Sequence, residues 1–412
     1  MNKKIVLVAF IVCAVLLLGQ TIYSCTNNSK NETLASVDSV KIELGRYLFF
    51  DRRLSVNNTR SCATCHNPQF AFTDGYKRSL GVYADLHQRN TQPLFNLSYL
   101  KYFTAADSTL HSPLQQMDNP LFNNHPAEMG VKGNEEKILE KITADENYKQ
   151  LFAEAKTDIS WTNIKNFISL FINSLKSGDS PYDKFKSGDS TALNPSQKRG
   201  RQLFFSAEIK CASCHGGFNF STPSVTNEKG DTLFYFNTGL FNIDGKGAYP
   251  PYDEGLFHLT KNKTDMGRFR VPSLRNLAFT APYFHDGSAA SLTEVIEAYS
   301  NGGRKIEDGI YKGDGSKNPY KHAFISGFSI SAADKINLIN FLQSLSDTGF
   351  INNPAYQNPF SYDETKRSSI LQYLNYCMKI TVLLFISSAA FYSPVTTKHR
   401  LQEMEITTMK MF

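Results

Sequence analysis

Two short segments of the chain pair cysteines with a histidine at the same spacing. Residues 62–66 read Cys-Ala-Thr-Cys-His, and residues 211–215 read Cys-Ala-Ser-Cys-His. Two thiols separated by two residues can form a redox disulfide, bind zinc, or make thioether bonds to a haem. The repeated segment therefore indicates one of three chemistries, and the rest of the chain must decide among them.

The other cysteines argue against a disulfide framework and against zinc. The chain has seven cysteines in 412 residues, and the three outside the two segments are Cys13, Cys25 and Cys377. Disulfide scaffolds are short and rich in cysteine, and a zinc ribbon joins its cysteine pairs over about 15–20 residues, far less than the interval here. A thioredoxin-like redox pair has no need of a histidine after the second cysteine.

Covalent haem attachment uses every chemical group of both segments. In such a site the two cysteines form thioethers with the haem vinyl groups, and the adjacent histidine binds the iron. The sequence therefore predicts two haem c groups, one held by Cys62, Cys65 and His66 and the other by Cys211, Cys214 and His215.

The first 25 residues predict export from the cytoplasm. Lys3 and Lys4 precede the apolar run 5–18, which is shorter than the about 20 residues that span a bilayer, and a cleaved signal has this form. The segment also resembles a bacterial lipoprotein signal, which would make Cys25 the acylated first residue; ordinary cleavage nearby is the alternative. Residues 26–37 would then be a tether, and the protein would be periplasmic and attached to the membrane only through its lipid.

Composition indicates a folded protein and gives no support for nucleic-acid binding. Apolar residues make up 41% of the chain and aromatic residues 13%, which is enough to build hydrophobic cores. The net charge of +6 is spread along the sequence without a basic block, so no nucleic-acid partner is expected.

The haem segments belong to a longer internal repeat. Gly-Arg-Tyr-Leu-Phe-Phe at 45–50 precedes the first segment, and Gly-Arg-Gln-Leu-Phe-Phe at 200–205 precedes the second. Periodicity and capping residues predict helices at 37–50, near 135–155, at 159–176 and directly after Asn194, Ser291 and Ser331. We predict a mainly α fold with two cytochrome c-like haem domains in tandem and long loops.

The predicted domain boundaries follow from breaker residues between the two copies. We predict an N-terminal haem domain at residues 38–180 and a C-terminal haem domain at residues 190–350. Ser-Gly-Asp-Ser occurs at 177–180 and again at 187–190, which is typical of a link. Residues 351–412 form a tail of unknown role.

Motifs in both halves resemble the bacterial di-haem cytochrome c peroxidase and MauG family. The resemblance is carried, in this order, by segments 44–55, 71–75, 126–130, 270–277 and 277–287. In that family the N-terminal haem meets hydrogen peroxide, the C-terminal haem exchanges electrons with an outside partner, and a calcium ion lies between them. Members are often dimeric, so a homodimer is one expectation.

The resemblance implies a cytochrome-c peroxidase as the first functional hypothesis. Such an enzyme reduces hydrogen peroxide with electrons from a small cytochrome c or copper protein. A MauG-like oxidase that modifies a partner protein with peroxide is the second hypothesis, and a non-catalytic di-haem electron carrier is the third.

Five further site residues are carried over from the family by their place in its motifs. Glu128 matches the distal carboxylate that moves a proton during cleavage of the peroxide bond, and Gln116 matches its distal neighbour. The family's calcium ligands correspond to Asn90, Thr280 and Pro282, the last two through backbone carbonyls.

Two departures from the peroxidase pattern concern the iron ligands. Val82 stands where the peroxidases carry a distal histidine, and we interpret the nearby His87 as a loop residue. Tyr299 stands where they carry methionine and where MauG-like members carry tyrosine, so Tyr299 is the predicted sixth ligand of the C-terminal haem. Together these departures predict an N-terminal iron that is open in the resting state.

A third departure concerns the tryptophan that family members place between the haems. The corresponding stretch contains Tyr102 and Phe103 instead, and either could lie near the electron path. The single tryptophan, Trp161, falls on the apolar stripe of the predicted helix 159–176 and is interpreted as core.

Overall fold

The computed structural model describes residues 38–361 and is mainly helical, with little strand. This confirms the mainly α character of the predicted fold. The predicted signal, the tether, Cys25 and most of the predicted tail lie outside the described residues. Within residues 38–361, no helix has both the length and the apolar character needed to cross a bilayer.

Most helices are short and are separated by long loops. The α-helices are α1 (residues 38–50), α2 (Cys62–Cys65), α3 (Pro113–Gln116), α4 (Asp118–Phe122), α5 (Glu135–Thr143), α6 (Glu146–Glu154), α7 (Trp161–Ser174), α8 (Pro181–Lys186), α9 (Pro195–Phe204), α10 (Cys211–Cys214), α11 (Phe257–Thr260), α12 (Leu292–Ser300), α13 (Ala332–Gln343) and α14 (Thr348–Ile351). Two antiparallel pairs supply the strand content, β1 (Tyr235–Phe236) with β2 (Phe269–Arg270) and β3 (Lys305–Ile306) with β4 (Gly313–Asp314).

Side-chain caps fix the starts of four of these helices, and the sequence predicts three of the caps, Asn194, Ser291 and Ser331. The side chains of Ser160, Asn194, Ser291 and Ser331 each accept a hydrogen bond from a backbone N–H of the first turn of α7, α9, α12 and α13. The single helix predicted near 135–155 is wrong, because the structure has two helices there. The Asp145 carboxylate accepts from the backbone N–H of Tyr148 and starts α6 anew.

Two helix crossings repeat the same close approach of backbones. In α1, a side chain on Gly45 would place its Cβ 1.9 Å from the carbonyl oxygen of Phe167 in α7. In α9, a Cβ on Gly200 would lie 1.9 Å from the carbonyl oxygen of Asn337 in α13. Only glycine lets these helices meet so closely, so the sequence repeat reflects a repeated helix pair.

Two large hydrophobic clusters are built around these crossings. The first cluster draws on α1, α5, α6 and α7, and the second on α8, α9, α12 and α13. Phe350 of α14 belongs to the first cluster, where its ring lies 5.5 Å from that of Phe95. The chain therefore returns from the second cluster to the first before residue 358.

Candidate functional site

The four paired cysteines begin and end the short helices α2 and α10. All four are free thiols, and the backbone N–H of the following histidine donates to the first cysteine's carbonyl, at 2.9 Å in both copies. Burial raises the pKa of these thiols, to about 12 for Cys62 and Cys211 and to about 11 for Cys65 and Cys214. Because thiolates are the reactive and metal-binding form, buried neutral thiols do not favour a redox pair or a zinc site.

The two following histidines are held in the same way. His66 Nδ1 lies 2.9 Å from the carbonyl oxygen of Phe72, and His215 Nδ1 lies 3.0 Å from that of Phe220. A carbonyl oxygen only accepts, so Nδ1 carries the proton and Nε2 is left as the ligating nitrogen. Burial lowers the pKa of both imidazoles, that of His215 to about 4, so both stay neutral and able to bind iron.

The first cysteine pair and His66 line a cavity of about 610 Å³. Gln116, at the end of α3, and Glu128, in the loop before α5, line the same cavity. The structure thus brings both predicted distal residues to the chamber that His66 enters. Among the residues that the structure describes, no three His, Cys, Asp or Glu side chains converge as a metal site.

Glu128 is paired with His87, a contact that sequence reasoning missed. The His87 Nε2 lies 3.3 Å from Glu128 Oε1, and both side chains line the cavity. Burial lowers the pKa of His87, but the hydrogen bond and negative charge of Glu128 outweigh this, so its pKa is raised overall. His87 lies in a loop as predicted, but it contacts the proposed proton carrier.

Gln116 is oriented by a second amide that sequence reasoning also missed. The Asn119 side-chain N–H donates to Gln116 Oε1 at 3.2 Å. This contact engages the amide oxygen and leaves the amide N–H groups of Gln116 as donors. A distal hydrogen-bond donor can orient a small oxygen-containing substrate.

Val82, at the family's distal histidine position, does not line the first cavity. Its backbone N–H donates to the carbonyl of Ala127 at 2.8 Å, and its side chain faces Gly130. An alkyl side chain offers no metal ligand, and this one is buried elsewhere.

The second cysteine pair and His215 line a separate cavity of about 280 Å³. Tyr299, near the end of α12, lines it as well. Met266, a methionine of the same half whose thioether is another type of iron ligand, does not line it. Burial raises the pKa of the Tyr299 phenol, and its hydroxyl has no hydrogen-bond partner within residues 38–361. A polar group of this kind, left without a partner beside His215, fits the predicted sixth ligand.

A shared wall separates the two cavities, formed by residues 89–93, Ala105 and Arg270. The Arg270 guanidinium donates to the carbonyl of Thr104 at 3.2 Å and to the side-chain oxygen of Gln92. It forms no ion pair with a carboxylate of the described residues, and burial lowers its pKa to about 10. An enclosed cation with only neutral partners favours an anionic group, which fits the propionates of haem.

The three predicted calcium ligands lie in the wall of the second cavity. Asn90 donates its side-chain N–H to the carbonyl of Tyr76 at 2.8 Å, and its amide oxygen accepts no hydrogen bond from a described residue. Asn90 and the carbonyls of Thr280 and Pro282 would supply the uncharged oxygens that a hard cation takes.

Of the two aromatic residues at the missing tryptophan, one lines a cavity and the other does not. Phe103 lines the first cavity, whereas Tyr102 lines neither and packs 5.4 Å from the ring of Tyr235. Trp161 packs 5.9 Å from Phe122 at the edge of the first cluster, in agreement with its interpretation as core.

Comparison with known proteins places these features in a family. A family model described as di-haem cytochrome c peroxidase matches residues 39–191. Cytochrome-c peroxidase IdrP1 of a Pseudomonas species is 30% identical over 328 residues, which cover 74% of this chain and 80% of the relative. The methylamine utilization protein MauG of Methylorubrum extorquens is 30% identical and covers 74% of this chain and 78% of its own.

A solved structure agrees with the sequence relatives. A MauG-like protein associated with microbial copper homeostasis is 40% identical and superposes with a TM-score of 0.74, covering 78% of this chain and 93% of that one. The chain belongs to the di-haem cytochrome c peroxidase and MauG family.

Proposed function

We propose that the chain is a di-haem c-type peroxidase that reduces hydrogen peroxide to water in the first cavity. Electrons enter through the second cavity from a small redox protein, a cytochrome c or a copper protein. The observation that carries the proposal is that Glu128 and Gln116 line the same cavity as His66. The cavity of His215 is lined by Tyr299 instead. The export signal predicted at 1–25 places this activity in the periplasm.

Each half of the described chain is one cytochrome c-like haem domain in this proposal. The cysteines of α2 and α10 form the thioethers, and the Nε2 atoms of His66 and His215 bind the irons. Haem, when bound, supplies the redox-active iron that passes single electrons. The separate hydrophobic clusters around α1 with α7 and α9 with α13 support this division.

Glu128 is the proton carrier of the proposed reaction. Cleavage of the peroxide bond needs a base that removes a proton from one oxygen and an acid that returns it to the departing oxygen. One carboxylate can do both in turn, and Glu128 lines the first cavity, as Gln116 does, whereas the carboxylate of Asp107, which also lines it, accepts hydrogen bonds from Thr109. Gln116 holds the substrate by donating a hydrogen bond from its side-chain amide.

The shared wall provides the proposed route between the two sites. Arg270 binds anionic haem propionates, and a calcium ion held by Asn90, Thr280 and Pro282 stiffens the second-cavity side. Phe103, rather than a tryptophan, stands at the first cavity near this wall.

A MauG-like oxidation of a partner protein is the second candidate function. It is favoured by Tyr299 in the second cavity and by the 40% identity to a MauG-like protein. The two functions share a peroxide site and differ in what is oxidised. A non-catalytic electron carrier would have no use for an acid–base side chain beside His66.

Steady-state turnover separates these functions. With reduced cytochrome c and hydrogen peroxide, we expect the native protein to turn over and Glu128→Gln to lose about 10²–10⁴-fold in kcat/KM, since the amide takes up no proton. Glu154→Gln, an exposed change in α6, is the matched control and should turn over normally. Negligible turnover by the native protein, with rapid consumption of one equivalent of peroxide, would instead favour the MauG-like oxidase.

A further inference from the structure

His87 and Glu128 come from two different loops that meet at the first cavity. Their side chains are partly buried, and the separation of 3.3 Å between Nε2 and Oε1 allows a charged hydrogen bond. Within the described chain, Glu128 has no other hydrogen-bond partner for its carboxylate. One imidazole therefore sets where this carboxylate points.

The loop that carries His87 is itself fixed to the protein. The backbone N–H of His87 donates to the carbonyl of Ser79 at 2.9 Å, and Leu80 pairs with Leu86 across the loop. On the other side, the carbonyl of Ala127 accepts from the Val82 N–H at 2.8 Å. One backbone hydrogen bond, next to the ion pair, thus joins the two loops.

The charges around His87 favour its protonated form. Burial disfavours that form, and so does the positive charge of Arg89, while Glu128 and Asp74 favour it. His66, which lines the same cavity, stays neutral because burial lowers its pKa. The charge of Glu128 raises that pKa and the charge of His87 lowers it. The balance raises the pKa of His87 above its ordinary value, which favours the ionic form of the pair.

We propose that His87 is a positioning residue that holds one oxygen of Glu128 and leaves the other free to face the substrate. This rests on the proposed function, since it assigns a partner to the residue proposed to carry protons. A carboxylate on a three-bond side chain has several rotamers, and only a rotamer that reaches the substrate can act as a base. The histidine restricts Glu128 to one of them.

The alternative role for His87 is direct binding of the first iron. The geometry disfavours it, because Nε2 is engaged by Glu128 and only Nδ1 is left for iron. The two roles make opposite predictions for the resting ferric protein. Removing a ligand changes the spin state of the first haem, whereas removing a positioning residue leaves it unchanged.

The test compares His87→Leu with His87→Gln in the full haem-loaded protein. Leucine removes the contact, whereas glutamine keeps an N–H donor at a similar reach without a titrating group. His111→Leu, an exposed histidine outside both cavities, is the matched control. Electron paramagnetic resonance reports the resting spin state of the haems. Stopped-flow absorbance measures the rate of cyanide association. Because hydrogen cyanide gives up its proton when it binds, this rate reports proton acceptance without turnover.

We expect high-spin signal from one haem in the native protein and in every variant. His87→Leu should slow cyanide association, and lower kcat/KM for peroxide, by about ten- to a hundredfold, while His87→Gln stays within about threefold of native. In the native protein kcat/KM should fall on the alkaline side, above the ordinary imidazole value of about 6.5, as His87 loses its proton. His87→Gln should lack that fall.

Two results would overturn the inference. The first is native cyanide association in His87→Leu, and the second is a low-spin to high-spin conversion of one haem on removal of His87. Failure of the proposed function is a separate outcome. In that case the native protein and the variants alike show no peroxide turnover. The rate of cyanide association would still be fastest in the native protein, similar in His87→Gln and slowest in His87→Leu.

Discussion

The two halves of this protein share one arrangement of helices around the Cys-x-x-Cys-His segment. They differ in the residues that line the rest of each cavity. In each, a glycine lets two helices cross closely, a Cys-x-x-Cys-His segment forms a one-turn helix, and a backbone carbonyl fixes the histidine. Equivalent rings pack at equal distances, 5.2 Å for Phe49 with Phe171 and 5.3 Å for Phe204 with Phe341. The rest of each cavity differs, since Glu128 and Gln116 line only the first and Tyr299 only the second, so the difference in proposed roles comes from the segments that close each cavity.

Those closing segments also differ in kind. Loops bring His87 and Glu128 to the first cavity, and both side chains are polar and partly exposed. A helix, α12, brings Tyr299 to the second cavity, where burial raises the pKa of its phenol. A site that must admit a substrate and protons needs polar groups near solvent, whereas an electron-transfer site works with a fully ligated, enclosed iron.

Removing the thioether cysteines one pair at a time gives the largest effect. Replacing Cys62 and Cys65 with alanine should remove one covalent haem and abolish reduction of peroxide. Replacing Cys211 and Cys214 should also remove one haem, but leave the first site able to react with peroxide while donor-driven turnover stops. Mass spectrometry of the denatured protein counts the haems, and an unchanged mass in either double variant would refute covalent attachment at that pair.

Exchanging the ligand of the second cavity tests the difference between the halves directly. Tyr299→Met should raise the reduction potential of one haem, within the about 0.8 V range that axial ligands span, because a thioether stabilises reduced iron better than a phenolate does. Spectroelectrochemical titration measures both potentials. Tyr182→Phe, a buried ring of the second cluster outside both cavities, is the control and should change neither. Two unchanged potentials in Tyr299→Met would remove tyrosine from the coordination of iron.

Local patterns in the sequence predict the helices and haem segments that the two halves share. They predict less well the residues that line the two cavities and make the halves different. The haem segments and the capped helices follow from residues close together in the chain, and the place of Tyr299 follows from the family resemblance. The contact of His87 with Glu128 joins two loops without periodicity, and no local pattern announces it. Arg270 likewise lines both cavities only because β2 passes between them.

The helix crossings give the smallest expected effect and test whether the two scaffolds are equivalent in energy. Gly45→Ala and Gly200→Ala each place a methyl carbon against a backbone carbonyl, so the helices must separate, which costs about 1–3 kcal/mol in free energy of unfolding. Gly349→Ala is the control, because the nearest atom to its added carbon is a side-chain oxygen at 3.2 Å. Calorimetry of the haem-loaded protein measures the stability of each of the three variants against unfolding. Equal losses at the first two positions would show that the repeated crossing supports both halves alike, and a loss at only one would mean that the other half relaxes around the added methyl.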